Sequence, residues 1–429
     1  MRYNIFFMIL IVISAFGQDV ATLSEADAVK MALAHHPSLA ATQADADIAS
    51  SRTAAMQSEG KLQFSANGQA TFSTMNNVLA APVLPLALLQ SQGRASLGIN
   101  GTAMLPIYTG GRIQSNINSG KFAANAAKQE VAMVRTQVAY NARVRFSDWI
   151  QALAMLNIAN DTLTVQTKNT LVIQQLFDVG KVPRFDLLRA QAETANAHQL
   201  VTNSQADVIV ARAMLAQALC VAIDTITTSP AINDTTVNIE KSLETALKKR
   251  PDLLASGLNI SAAKSALSAL NGNYHPQVYA VGMIDASAPR NMGKSAGFTI
   301  GLIAGIPILD GGRRKAETTE AEQVITKANA NHDVIELQVR VDVASAEARV
   351  NAAKQNIDTA TTQVTAATEA YTVAEARYTA GKGTIVELLD VQRSQTEARQ
   401  SLVIANAQYK ATVAALYLAM GIDIVEKDK

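Results

Sequence analysis

The chain is predicted to be mainly α-helical with a membrane-type β component: long antiparallel coiled-coil helices, plus four amphipathic strands, in an internally duplicated chain. Three observations predict this class. The same blocks of sequence occur twice, roughly 200 residues apart. Within each copy the apolar period passes from helical to alternating and back. Each copy also holds a proline-free helical run long enough for a coiled coil.

The duplication sets the frame. HPSLAA (His36 to Ala41) returns 214 residues later as RPDLLA (Arg250 to Ala255), and KLQFSANG returns at the same offset as HPQVYAVG. PIYTGGR (Pro106 to Arg112) returns 201 residues later as PILDGGR (Pro307 to Arg313), and DVGKVPRFDLLRAQ returns at that offset as TAGKGTIVELLDVQ. The offset changes inside the loop around residues 74 to 94, so the halves differ mainly by one longer loop. The expected organisation is a signal peptide over 1–17, a first repeat over 18–220, a linker over 221–240, a second repeat over 241–422 and a short tail over 423–429.

MRYNIFFMILIVISAFG supplies Arg2, an apolar run from Ile5 to Phe16 that is short for a membrane span, and Ala15 and Gly17 spaced as a cleavage site. Gln18 is the expected mature start, and no cysteine near it offers an acylation point. Residues 24 to 58 read as helix, starting near Leu23-Ser24-Glu25. Residues 62 to 73 then alternate. Leu62, Phe64, Ala66, Gly68, Ala70 and Phe72 face one way, with Gln63, Ser65, Asn67, Gln69, Thr71 and Ser73 opposite. Ala95, Leu97, Ile99, Gly101, Ala103 and Leu105 repeat the pattern, as do Phe298, Ile300, Leu302, Ala304 and Ile306. The strand from Gln277 to Asp285 is less clean, because Tyr279, Val281 and Met283 hold the wet parity.

After each GGR a helix of about 66 residues, roughly 100 Å, is expected, from Ile113 to Asp178 and onward to Thr379 in the second half. The second has a regular seam: Val343, Ala346, Val350, Ala353, Ile357, Ala360, Val364, Ala367, Tyr371, Ala374 and Tyr378. Alternating steps of three and four predict left-handed supercoiling. The first keeps Trp149, Ala152, Leu156, Ala159 and Leu163, with Arg145 and Gln166 as interruptions. Each long helix turns at a glycine, Gly180 or Gly381, into a shorter one near Arg184 to Leu219 and Ile385 to Ala419.

Composition narrows the function. The 37 basic and 36 acidic residues leave no footprint for nucleic acid, and 5% aromatics suit packed helices. The lone Cys220 excludes an intrachain disulfide and is expected to be a buried, inert thiol. His35, His36, His198, His275 and His332 show no metal spacing; His36 and Arg250 share a slot before proline that reads as a polar helix end. Neither glycine pair has a nucleotide-binding pattern, so no catalytic residue, cofactor or metal site is expected, and the repeated glycine pairs read as corners. In these corners Pro106 and Pro307 would stop ladder pairing, Gly110, Gly111, Gly311 and Gly312 would swing the chain into the helix, and Arg112 and Arg313 would lie near a membrane–water interface. Val78 to Leu89 is an apolar loop patch that would cover a barrel mouth, touch lipid or pack on itself.

Strands of this length with one apolar face can cross a bilayer only as a closed barrel. Four strands cannot close alone, so two, three or four copies are required. The soluble alternative is a pair of sheets covering each other's apolar faces above a coiled coil.

The order helix, strand, loop, strand, PxxxGGR, long helix, GK turn, short helix, written twice, resembles the TolC-like outer-membrane efflux proteins. PIYTGGR, PILDGGRRKAE, VGKVPRFDLLRAQAE and AGKGTIVELLDVQRSQTEA carry the likeness, over about residues 22 to 422. The resemblance implies a homotrimer, with a 12-stranded transmembrane β-barrel in outer-membrane lipid and an α-helical coiled-coil barrel in the periplasm. It implies a passive exit duct served by a periplasmic adaptor (membrane fusion protein) and an inner-membrane pump, in efflux or type I secretion. The alternative is an exported coiled-coil structural or adhesion protein with no conduit.

The resemblance also assigns positions. Glu387 and Asp390 match acids that narrow the periplasmic mouth, and Asp186 and Tyr378 match members of the same constriction. The alternative for Glu387 and Asp390 is an ordinary acidic helix start. The basic partner position is here Gly383, which leaves Lys382, Lys181 or Arg184 as substitutes. Val179, Gly180 and Lys181, with Ala380, Gly381 and Lys382, match adaptor-contact turns, and both glycines also suit helix caps.

Overall fold

The computed structural model describes residues 23–74, 93–226, 230–231, 241–289 and 295–422. The expected signal segment, the Val78–Leu89 patch and the 423–429 tail lie outside the described residues. In chain order the elements are β1 (Leu23–Ser24), α1 (Glu25–His35), α2 (Pro37–Ser58), β2 (Gln63–Thr74), β3 (Gly93–Tyr108), α3 (Arg112–Asp178), α4 (Arg184–Leu219), β4 (Pro230–Ala231), α5 (Ser242–Lys249), α6 (Pro251–Gly272), β5 (Gln277–Pro289), β6 (Ser295–Gly305), α7 (Arg313–Thr379) and α8 (Ile385–Met420). Among the described residues no helix is long and apolar enough to cross a membrane. The chain divides into two compact units, one of residues 38–134 with 241–343 and one of the remainder.

The first unit holds the sheet. Its four strands are antiparallel in the order β2-β3-β5-β6, so the two hairpins join edge to edge through β3 and β5. The two-residue period fixes which side chains share a face. Phe64 lies opposite Ala103, Ala70 opposite Leu97, Gly101 opposite Ile284, and Ile284 opposite Phe298. The apolar parity of every strand therefore aligns into one face. That face is open, with Phe298 78% and Ile300 80% exposed. This overturns the alternative of two sheets covering one another: β3 pairs with β5 in a single sheet, and among the described residues nothing covers its apolar side chains.

Pro106 does not end the ladder, contrary to expectation. It remains opposite Tyr279, a bulge follows, and Tyr108 pairs with Val278. Proline lacks only the donor, and the bulge absorbs the mismatch. Pro307 does lie beyond the end of β6 at Gly305. The expected helix over 24 to 58 is two helices. His36 is extended at φ −70°, ψ 119° and donates to Ala32, and its repeat mate Arg250 does the same at φ −65°, ψ 119° toward Ala246. A residue before proline is pushed out of the helical region, which explains both breaks. Arg250 then pairs with Asp252 at 3.0 Å and Asp342 at 2.7 Å.

The second unit is helical. Ser24 caps α1 by accepting from the Asp27 N–H at 3.1 Å. On α7 the seam is buried or half-buried throughout, including Val350, Ala353, Ala360 and Ala374. On α3 the predicted interruptions are not breaks. Arg145 points outward to Asp148 at 3.1 Å, because the buried row runs through Ala142, Phe146 and Trp149 instead. Gln166 is itself a buried member of the row. Cys220 is exposed rather than buried, since it forms the left-handed C-cap of α4 at φ 53°. Part of the expected linker is ordered as the parallel pair β1–β4, Leu23 opposite Pro230.

Candidate functional site

The two helix turns of the second unit bring together most of the residues assigned to a constriction. α3 ends at Gly180 (φ +74°) and α7 at Gly381 (φ +72°), both left-handed. The Lys181 N–H donates to the Leu176 carbonyl and the Lys382 N–H to Arg377, each at 2.8 Å, which closes each end with a Schellman cap. The Thr384 hydroxyl then starts α8 by accepting from the Glu387 N–H at 3.2 Å. Ile173, Leu187, Ala190, Ala374, Ile385 and Leu388 pack into one apolar cluster, with Tyr378 and Phe177 against it. This cluster holds the acidic starts of α4 and α8 in place.

The acids differ in surroundings. Glu387 meets Arg377 of α7 at 3.4 Å, a half-exposed pair. Asp390, one turn further along α8, is exposed and makes no ion pair among the described residues. Asp186 of α4 is half-buried, and its negative charge reaches Tyr378. Burial first, and Asp186 second, push the Tyr378 phenol above its ordinary value. The Tyr378 hydroxyl is buried without a hydrogen-bond partner among the described residues. Among the described residues no ion pair joins Asp186 to Lys181, Arg184 or Lys382, the substitutes named from sequence.

Arg377 is the residue that sequence reasoning missed. The hairpin is nearly symmetric about Lys382, which sets position 377 opposite 387, so the spacing alone contained the signal. Gly383 supplies no cation itself. A Cβ there would stand 3.2 Å from the Tyr378 nitrogen, so a longer side chain at that position crowds the last turn of α7.

Above the apolar cluster runs a polar layer. Asn169 donates to Gln392 at 3.1 Å, and Thr170 meets Thr194 at 2.8 Å. Arg393 pairs with Glu193 at 2.9 Å. Among the described residues the Gln392 amide nitrogen and the Gln166 amide oxygen are buried without partners, so this layer is held less completely than the seam around it.

The corners sit in the sheet unit. Gly110 (φ +61°) and Gly111 (φ +83°) lead into α3, and Gly311 and Gly312 lead into α7. A Cβ on Gly110 would lie 2.5 Å from His275 Cβ, so this corner presses on the end of α6. In the second corner Asp310 accepts from the Gly312 N–H at 3.1 Å and from the Arg314 side chain at 2.6 Å. Those Arg314 hydrogen bonds hold the Asp310 carboxyl below its ordinary value. Arg112 reaches Glu59 at 3.9 Å and Arg313 reaches Glu317 at 2.7 Å.

Comparison with known proteins agrees with this architecture. The family model described as outer membrane efflux protein matches residues 28–221 and 242–422, one match per half. The chain is 22% identical over 329 residues to outer membrane efflux protein BepC of Brucella suis biovar 1 (strain 1330), covering 76% of this chain and 72% of that one. The fold superposes on a crystal structure of a membrane protein from Pseudomonas aeruginosa with a TM-score of 0.82 at 20% identity, covering 93% of this chain and 90% of the other. It also superposes on the outer membrane protein VceC of Vibrio cholerae with a TM-score of 0.78 at 18% identity, covering 92% and 96%.

Proposed function

The chain belongs to the outer membrane efflux protein family and is an outer-membrane efflux channel protein; from this premise we propose how it works. Each copy contributes four strands and leaves the outer edges of β2 and β6 to be paired, so several copies must close the barrel, and the likeness to the family selects three copies and 12 strands. The observation that carries this reading is the open apolar face shared by all four strands. In lipid that face is satisfied, and the opposite, largely polar face lines a wet lumen. The family match, rather than the face itself, favours a channel over an adhesion or structural coiled coil.

The long helices continue the duct into the periplasm, and the repeats over 18–220 and 241–422 each supply half of a protomer's wall. The duct is a passive conduit rather than an enzyme, with energy supplied by an inner-membrane pump through a periplasmic adaptor. The turns at Val179–Lys181 and Ala380–Lys382 contact that adaptor. Glu387 and Asp390 narrow the periplasmic mouth, with Asp186 and Tyr378 packed behind them. Arg377 offsets part of the Glu387 charge, so Asp390 dominates the negative ring.

The test is direct. Outer-membrane fractions should contain a heat-modifiable trimer, and the purified trimer should conduct ions in planar bilayers. A periplasmic monomer without conductance would overturn the reading. Crosslinkers placed at Gly180 and Gly381 should capture an adaptor in cells.

A further inference from the structure

The two halves build the same corner with different chemistry on the wet face of the sheet. Ser65, Asn67, Gln69 and Thr102 of the first half correspond by the repeat to Tyr279, Val281, Met283 and Ile303 of the second. Tyr279 lies directly opposite Ile303, and Val281 opposite Met104. The second half thus carries an apolar stripe on the side of the strands where its sister is polar. The stripe runs into an open pocket of about 840 Å³, where the strands meet α3, α6 and α7.

The pocket has two kinds of wall. Tyr279, Ile303 and Leu270 supply apolar surface, Arg112, Arg313 and Arg314 line it as well, and among the described residues no carboxylate lines it. The acids that hold these arginines, Glu59, Glu317 and Asp310, lie outside the lining. Arg314 is further fixed, 4.7 Å over the Tyr274 ring. In the first half Ile113 stands for Arg314, and the pocket there is about 450 Å³ with no arginine and two exposed lysines.

An apolar wall beside several arginines is the composition of a small-molecule site for an anion. We propose that this pocket is a binding station for amphipathic organic anions, compounds with an apolar ring body and one sulfonate, carboxylate or phosphate group. The ring lies against Tyr279 and Ile303, and the acid meets Arg112 and Arg313, whose planar forks suit oxyanions. The proposal rests on the reading that the wet face of the sheet lines the duct.

The test uses single trimers in planar bilayers, with naphthalene-2-sulfonate added from the extracellular side. Neutral 2-naphthol and methanesulfonate serve as ring-only and acid-only comparators. The sulfonated ring should interrupt the current at a concentration about tenfold below either comparator. Tyr279→Ser with Ile303→Thr, which installs the first-half residues, should raise that concentration about tenfold. Arg112→Gln with Arg313→Gln should do likewise, and carries the test if the first pair fails to trimerise. Equal block by a comparator, or unchanged block in either assembled variant pair, overturns the site. Absence of any conductance instead overturns the duct reading, whereas conductance without sulfonate block overturns only this inference.

Discussion

Glu387 and Asp390 lie three residues apart on one helix, yet only Glu387 has a guanidinium within 4 Å. An exposed pair of this kind is worth about 0–1 kcal/mol, so Arg377 matters to the local field more than to stability. Asp390→Asn should therefore weaken block by divalent cations from the periplasmic side more than Glu387→Gln does. Arg377→Gln should tighten it, as read from half-blocking concentrations in planar bilayers. Tyr378 presents a separate case at the same scale. Its phenol is raised by burial, so the folded state favours the protonated form. That contribution is complete below the ordinary tyrosine value of about 10 and is lost as pH rises through the raised one. Tyr378→Phe should reduce alkaline destabilisation above pH about 10. It should cost almost nothing at neutral pH, because it removes a buried hydroxyl that has no partner. Thermal melts of the purified trimer across pH check both outcomes.

Elements join through glycines whose settings are not equivalent. Gly110 and Gly111 are both left-handed, but only Gly110 faces a wall, with Gly272 O at 2.6 Å and His275 Cβ at 2.5 Å from its missing Cβ. Gly111→Ala should cost about 1–2 kcal/mol for the left-handed backbone alone. Gly110→Ala should cost distinctly more, because α6 must also retreat, and urea titration of the two variants would rank them. The corner motif read from the sequence thus hides a division of labour: one glycine for the turn, the other for the turn and the approach of a distant helix.

For the whole molecule, the sheet is the deciding feature. Its apolar face is aligned across strands from both halves and left open, and its two edges await partners. Ile300 and Thr299 are adjacent in sequence and both exposed, but face opposite sides of β6. Ile300→Arg should destabilise the inserted barrel by about 2–4 kcal/mol if it sits near the bilayer midplane. Thr299→Arg should be tolerated and instead alter ion selectivity. Heat-modifiability of the trimer and reversal potentials in a salt gradient separate the two outcomes.

Local periodicity carried most of the architecture. The ends of both long helices, the glycine turns, the face of every strand and the duplication follow from patterns within a few residues, because side-chain direction repeats every 3.6 or 2 residues in these elements. Asp186, Tyr378, Glu387 and Asp390 were legible only through likeness to a family, since an acidic helix start looks the same when it merely caps a helix. Contacts between distant segments decided the rest. The joining of β3 to β5, the Arg377–Glu387 pair, the Asn169–Gln392 layer and the pressure of Gly110 on His275 depend on how separately written elements come into register. Cys220 shows the same division, since residue type argued for burial and its place at a helix end exposed it. A period records the geometry of one element, whereas a partner is chosen only when two elements meet.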